Sequence, residues 1–152
     1  MKSSGFQRQK GQSAIEYLMT YGWMLLVVAI VGGAIFATVQ GQCSKNSSFP
    51  AGADVSVDSF AATDSNLQVV FRNDASEQLN ITNVVIRTED GTQVAQNSTS
   101  MILNVGETKL KTFGSIVSGD ACNTYEVEVT YNRGEITGAE TTGSITANMV
   151  QQ

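Results

Sequence analysis

The chain has 152 residues, of which 41% are hydrophobic and 15% are charged, and its formal net charge is −5. The charged fraction is low for a soluble protein, in which about 25% is usual. The acidic balance disfavours nucleic-acid binding, which needs clustered Lys and Arg. The sequence contains no histidine, so the commonest general base and metal ligand is missing. The length allows one ordinary domain, or a small domain with an appended segment.

The N-terminal part of the chain has a different charge pattern from the rest. Residues 1–11 carry three basic side chains and no acidic one, and residues 18–42 carry no charge at all. As a helix rising about 1.5 Å per residue, the uncharged stretch is long enough to span a bilayer. The predicted order is therefore a basic segment at 1–11, a hydrophobic helix at 12–41, a linker at 42–53 and a head domain at 54–152.

Three interpretations of the uncharged stretch are open. A secretory signal peptide has a shorter apolar region, of about 7–15 residues, followed by a cleavage site of small residues. Residues 37–43 match such a site only weakly. A plain membrane anchor fits the length, with the basic segment inside the cell and the head outside. The third interpretation depends on the residues that immediately precede the apolar stretch.

The residues Lys10, Gly11 and Gln12 precede the apolar stretch, and Glu16 lies at its start. This pattern resembles the class III signal peptides of archaeal type IV pilin precursors. In that family a basic residue and Gly precede a mature chain that begins with Gln and has Glu as its fifth residue. The resemblance covers residues 8–40, and it implies that a membrane prepilin peptidase removes the leader by cleavage between Gly11 and Gln12.

The resemblance also implies a function for the whole chain. The precursor would lie in the cytoplasmic membrane, and an assembly platform with its ATPase would build the mature chains into an extracellular homo-oligomeric filament, an adhesion pilus. No enzyme activity, cofactor or nucleic acid would be involved. An archaellin-type subunit of a motility filament shares this leader type, although Tyr17 and Leu18 after the glutamate favour the pilin branch. A membrane-anchored extracellular binding protein is the other alternative.

Glu16 and three small residues are the candidate assembly contacts. A carboxylate beside a membrane segment is costly to bury. After cleavage, the new α-amino group of Gln12 would lie four residues away and could pair with Glu16 on the same or a neighbouring chain. In an unassembled anchor, Glu16 would instead lie at the level of the headgroups. Ala29, Gly33 and Ala37 lie on one helix face with a spacing that permits close helix packing, although small residues are common in membrane helices generally.

The head shows short strand patterns separated by turn signals. Residues 125–131 alternate apolar and polar side chains, as do residues 67–71. Residues 79–86 change phase near Asn83, which predicts a bulge. Turns are predicted at 89–91 and 132–134, and further strands at 54–60, 101–105, 110–113 and 143–150. The predicted fold class is α+β: a long N-terminal hydrophobic helix followed by an antiparallel β-sandwich of about seven strands and immunoglobulin-like size.

The two cysteines, Cys43 and Cys122, are neither in a CxxC arrangement nor close to a histidine, which disfavours a zinc site. In an exported head, an even number of cysteines indicates a disulfide. The alternative is two separate buried thiols. Asn46, Asn80 and Asn97 begin N-x-[ST] sequons, which would be glycosylation acceptors in an exported protein. Asn46 is the best candidate because it falls in the predicted linker, whereas Asn80 falls in a predicted strand.

Two groups of carboxylates are candidates for metal binding or acid–base chemistry. Glu126 and Glu128 alternate with apolar residues and are therefore expected on the solvent face. The carboxylates of Asp54, Asp58 and Asp64 are close in sequence but lack the spacing of a calcium-binding loop. We expect neither a metal site nor catalytic residues.

Overall fold

The computed structural model describes the backbone of residues 6–40 and 43–152, and the side chains of residues 14–38 and 43–152. The chain divides into two compact units, with the boundary between Gln42 and Cys43. The first contains one helix and the second contains antiparallel sheets. The predicted α+β fold class, with an N-terminal apolar helix and a sheet-rich head, is confirmed.

The helix α1 extends over Phe6–Gln40. It begins before the predicted position at residue 12, so the helical backbone continues through the predicted cleavage site. Its segment Ala14–Thr38 is long and apolar enough to cross a membrane, with a mean hydropathy of 2.0. The hydroxyl of Thr20 donates to the carbonyl of Glu16 at 2.9 Å. Such hydrogen bonds inside the helix allow a hydroxyl to enter an apolar environment at low cost.

Residues 43–152 form nine strands. Their bounds are β1 (Asn46–Ser48), β2 (Val55–Ala62), β3 (Leu67–Asn73), β4 (Leu79–Thr88), β5 (Gln93–Asn97), β6 (Met101–Leu103), β7 (Thr108–Phe113), β8 (Ile116–Arg133) and β9 (Ile136–Gln151).

The strands form two antiparallel sheets. The six-stranded sheet has the order β1-β9-β8-β4-β5, with β6 also paired to β4, and the three-stranded sheet has the order β2-β3-β7. Both sheets contribute to one hydrophobic core, in which Val55 and Phe71 of the smaller sheet meet Ile81, Val127 and Ile145 of the larger one. Burial of each such side chain contributes about 1.5–3 kcal/mol. The head is therefore the predicted antiparallel sandwich.

Two details of the strand pattern are confirmed. Tyr125, Val127, Val129 and Tyr131 of β8 are buried, as their alternation predicts. The register of β4 against β8 shifts between Ile81 and Asn83, where the phase change predicts a bulge. The extra residue, Thr82, donates its hydroxyl to the carbonyl of Thr130 at 3.2 Å.

Turn chemistry determines where the hairpins close. In the β4–β5 turn, the amide of Gly91 donates to the carbonyl of Thr88 at 2.9 Å, and Gly91 has a φ of 86°. This turn was predicted. The β8–β9 turn lies at residues 134 and 135, because Arg133 still pairs with Ile136 across the hairpin. The predicted turn at 132–134 therefore starts two residues too early.

The structure places residues 43–53, predicted as linker, inside the head. Ser47 of β1 pairs with Ile145 of β9. A Cβ added at Gly143 would lie 2.5 Å from the ring of Phe49, so this ring packs directly on the β9 backbone. A short polar segment at a sheet edge has one exposed side, and its composition therefore resembles that of a linker.

Candidate functional site

The surface of α1 is the largest apolar surface in the described part of the chain. Every side chain of residues 14–38 is exposed, including Trp23 at 70%, Leu25 at 64% and Ile30 at 63%. Soluble monomers rarely expose apolar patches larger than a few hundred Å². The helix therefore requires an apolar environment that its own unit does not provide, either a bilayer or other helices.

Glu16 is the one charged residue within the apolar span Ala14–Thr38. It lies near the N-terminal end of this span, and its side chain is exposed. Gln12, its predicted partner, and the cleavage-site residues Lys10 and Gly11 have side chains that lie outside the described residues. The structure shows helical backbone at these positions.

The small residues Ala29, Gly33 and Ala37 are all exposed on α1. A Cβ built at Gly33 meets nothing within 4 Å, and the same is true at the adjacent Gly32. At these two glycines, the face therefore makes no close contact within its own unit. It is free to receive another helix at the close distance that small residues permit.

The two cysteines are bonded to each other. Cys43 is the first described residue of the head, and its Cα lies 5.3 Å from that of Cys122 in β8. The two residues are 79 positions apart in sequence. The bond fixes the entry of the chain into the head to a strand that is paired with both β9 and β4.

A bulge in β8 accompanies the disulfide, and the sequence analysis did not predict it. The register against β9 shifts between Ser118 and Cys122, which leaves residues 119–121 unpaired. A Cβ at Gly119 would lie 2.7 Å from Cγ1 of Val150, so this close approach requires glycine. The side-chain amide of Asn148 donates to the carbonyl of Asp120 at 3.2 Å and holds the bulge.

The structure uses the three sequon asparagines differently. Asn46 lies in β1 and is exposed. Asn80 lies in β4 and is half-buried, and its side-chain oxygen accepts a hydrogen bond from Ser100. Asn97 ends β5, and its side-chain amide donates to the carbonyl of Thr112 at 3.3 Å.

The aspartates considered as a metal site are separate in the fold. Asp54 accepts a hydrogen bond from the Tyr131 hydroxyl at 2.9 Å and pairs with Arg133 at 2.7 Å, which links the two sheets. Burial, with the hydrogen bond to Asp54, raises the pKa of Tyr131. Asp64 instead accepts from Ser118. Among the described residues, no group of three Cys, Asp or Glu side chains is placed to hold a metal ion.

The two glutamates on β8 lie on the predicted solvent face. Glu126 is exposed, and Glu128 pairs with Arg87 of β4 at 2.7 Å. This contact between neighbouring strands raises the pKa of Arg87, chiefly through the hydrogen bond to Glu128. Both carboxylates therefore belong to the outer surface of the larger sheet.

A buried lysine on an edge strand was missed by the sequence analysis. Lys111 of β7 is only 6% exposed, whereas its neighbour Leu110 is 53% exposed. Burial lowers the pKa of Lys111, and its Nζ lies 3.4 Å from the carbonyl oxygen of Asn97. An inward-pointing charge on an edge strand discourages pairing with other chains. The sequence signal for the burial of Lys111 was its position two residues before Phe113, because residues two apart in a strand lie on the same face of the sheet.

Comparison with known proteins assigns no family. No protein-family model matches the chain, and no curated protein matches it. The functional argument therefore depends on the N-terminal motif and on the structure.

Proposed function

We propose that this chain is the precursor of a structural subunit of an archaeal type IV adhesion pilus. The observation that carries the proposal is the combination of a fully exposed apolar helix with the motif directly before it. The span Ala14–Thr38 has no buried side chain, and it follows Lys10, Gly11 and Gln12 with Glu16 as its one acid. A helix with these properties needs partners, and the motif resembles the one that delivers such helices to a filament.

The energetics of assembly follow from the composition of α1. Moving an apolar helix from lipid into a bundle of similar helices leaves its hydrophobic burial almost unchanged. Close packing along Ala29, Gly33 and Ala37 and pairing of Glu16 must therefore provide the preference for the filament. Leader removal creates the α-amino group at Gln12, and it also removes three cations from the helix end that enters the bundle.

The head supports an extracellular position for the folded unit. Disulfides persist in oxidising compartments and are rare in the cytoplasm. A head closed by the Cys43–Cys122 bond is therefore consistent with export. In the proposed pathway, the precursor sits in the cytoplasmic membrane with its basic leader inside. The assembly platform and ATPase then add the cleaved chain to a filament whose outer surface is made of heads.

Substitution of Gly11 tests the proposal in the native cells. We expect Gly11→Val to block leader removal and to abolish surface filaments, whereas Gly5→Val, a matched change inside the leader, leaves both unchanged. Intact mass of the membrane or filament protein reports cleavage, and electron microscopy of sheared cell surfaces reports filaments. If Gly11→Val leaves the protein and its surface display unchanged, the chain is an anchored binding protein. Loss of swimming together with the filaments would instead indicate an archaellin-type subunit.

A further inference from the structure

The three sequons of the head differ in what the folded chain leaves free. An acceptor site must present both the amide nitrogen of the asparagine and the hydroxyl two residues later, because both residue types define the sequon. The sequence alone favours Asn46 only because it falls in the predicted linker, and that segment is part of the head. The structure separates them by exposure, by hydrogen bonding and by the strand in which each one lies.

Asn80 is held inside the larger sheet. Its backbone pairs with Ile102 of β6 on one side and with Asn132 of β8 on the other. Its side-chain oxygen accepts from Ser100, and the hydroxyl of Thr82 donates to the carbonyl of Thr130. Although its side chain is half-buried rather than buried, the backbone of this sequon cannot leave the sheet unless both neighbouring strands separate from β4.

Asn97 connects the end of β5 to the edge strand β7 through hydrogen bonds. Its side-chain amide donates to the carbonyl of Thr112, its side-chain oxygen accepts from the amide of Thr99 at 3.0 Å, and its backbone carbonyl lies near Nζ of Lys111. These contacts join the end of β5 to the edge strand β7. Both polar atoms of the Asn97 side chain are therefore occupied.

Asn46 is free in the described part of the chain. Its side chain is exposed and makes no hydrogen bond with the described residues. Within β1, the side chain that does make a hydrogen bond is that of Ser47. Because side chains alternate along a strand, Asn46 and Ser48 face the same side, while Ser47 points to the carbonyl of Val57. The side-chain amide of Asn46 and the hydroxyl of Ser48 are therefore accessible on the same side of the strand.

The strand that carries Asn46 has few backbone partners. β1 has three residues, lies at a sheet edge and pairs only with β9. Short edge segments open locally at a much lower free energy than central strands. A modifying enzyme can therefore reach this sequon in the folded head, and β4 offers no such access.

We propose that Asn46 is the acceptor of an N-linked oligosaccharide and that Asn80 and Asn97 remain unmodified. This inference rests on the proposed function, since export brings the head to an extracellular oligosaccharide transferase. The Nδ2 atom of Asn46 forms a bond to the anomeric carbon of an oligosaccharide carried on a lipid phosphate. The bond between that carbon and the phosphate oxygen breaks, the lipid phosphate leaves with the electron pair, and the amide proton passes to a base of the transferase.

A glycan at this position would also cover the free edge of the larger sheet. The outer side of β1 has no strand partner among the described residues, and unguarded edges invite pairing with other chains. The edge strand β7 of the smaller sheet is guarded by the buried Lys111. A glycan on Asn46 would protect the β1 edge by its bulk, whereas Lys111 protects the β7 edge by its buried charge.

Removal of the sequon hydroxyls, one at a time, tests the assignment without changing any asparagine. We expect Ser48→Ala to remove all attached glycan mass from protein purified from the native cells, and Ser48→Thr to retain it. Thr82→Ala and Thr99→Ala should leave the glycan mass unchanged. Thr99→Ala is the closest control, because the hydrogen bond to Asn97 uses the backbone amide of Thr99. Glycopeptide mass spectrometry then locates the sugar.

The same intact-mass measurement separates this inference from the proposed function. A chain that begins at Gln12 and carries no sugar, or carries it on Asn80 or Asn97, would overturn the assignment of Asn46 and leave the pilin proposal standing. A chain that retains its leader and carries sugar at Asn46 would support the glycan and contradict the pilin proposal.

Discussion

Cys43 and Cys122 are joined across 79 positions of sequence, and the bond connects the entry of the head to the central strand β8. The three paired residues of β1, the hydrogen bond from the Ser47 hydroxyl to the Val57 carbonyl and the ring of Phe49 also attach this entry segment. The disulfide is therefore the covalent anchor of a segment that has few non-covalent contacts, in a chain whose preceding helix is proposed to be held in a filament.

Reduction of this bond should release the entry segment before it unfolds the head. Closing a loop of this length stabilises a fold by about 4 kcal/mol in the chain-entropy description. We expect the Cys43→Ser and Cys122→Ser double variant to lose a large part of this stability. Hydrogen exchange should increase first in residues 43–53, while β8 and β4 stay protected. Equal loss of protection throughout the head would contradict the anchoring role.

The contact between Gly143 and Phe49 should be intolerant of a methyl group. Gly143→Ala places a Cβ at 2.5 Å from the Phe49 ring, and this overpacking should cost about 1–3 kcal/mol. Gly114→Ala is the matched control, because a Cβ there meets nothing within 4 Å. Chemical denaturation of the two variants measures the difference. Equal stability of both variants would show that Phe49 does not hold β1 in place.

Lys111 should make the head more stable at alkaline pH. Burial lowers the pKa of this lysine below its ordinary value of 10.5, so the folded state loses the proton at a lower pH than the unfolded state. The cost of burying the charge is complete below the folded-state pKa and is relieved as the pH rises toward 10.5. The unfolding free energy of the wild-type head should therefore rise as the pH increases from the lowered pKa of Lys111 toward 10.5. Measurements should stop near pH 10, because tyrosines then begin to titrate.

Lys111→Met is the variant that isolates this effect. It should raise the unfolding free energy at neutral pH by about 1 kcal/mol, because an apolar chain of similar length replaces a buried charge. It should also abolish the alkaline rise and increase self-association through the β7 edge. A parallel pH dependence in wild type and variant would assign the effect to other groups.

The small-residue face of α1 should discriminate between two adjacent glycines. Gly33→Leu places a bulky side chain on the stripe that includes Ala29 and Ala37, whereas Gly32→Leu adds the same apolar surface beside it. A Cβ added at either position meets nothing within 4 Å. We expect Gly33→Leu to reduce filament yield by about tenfold or more, and Gly32→Leu to have a smaller effect. Equal yields would remove this face from the assembly interface.

Strands with a strong apolar alternation could be predicted from the sequence. Residues 125–131 and 67–71 pack against the core as expected, and the phase change near Asn83 is a bulge. The polar strand β1 could not be distinguished from a linker, because only its pairing with β9 identifies it. The bulge at residues 119–121 occurs where Gly119 approaches Val150 closely, and this is a tertiary feature without a local signal.

Some features of the candidate site could also be predicted from the sequence, and others could not. The apolar span, Glu16 and the pairing of the two cysteines were accessible from composition and residue types. The preference for Asn46 among the three sequons was also predicted, but the hydrogen bonds that occupy Asn80 and Asn97 were not, because their partners Ser100 and Thr112 are distant in sequence. Residue type alone indicated neither the burial of Lys111 nor its contact with Asn97.

The most direct test of the account is a cryo-electron microscopy structure of filaments sheared from the native cells. The account predicts a central bundle of α1 helices from chains that begin at Gln12, with the Glu16 carboxylate within hydrogen-bonding distance of a Gln12 α-amino group. Chains that begin at Met1 and are found only singly in the membrane, with no filament containing them, would contradict it.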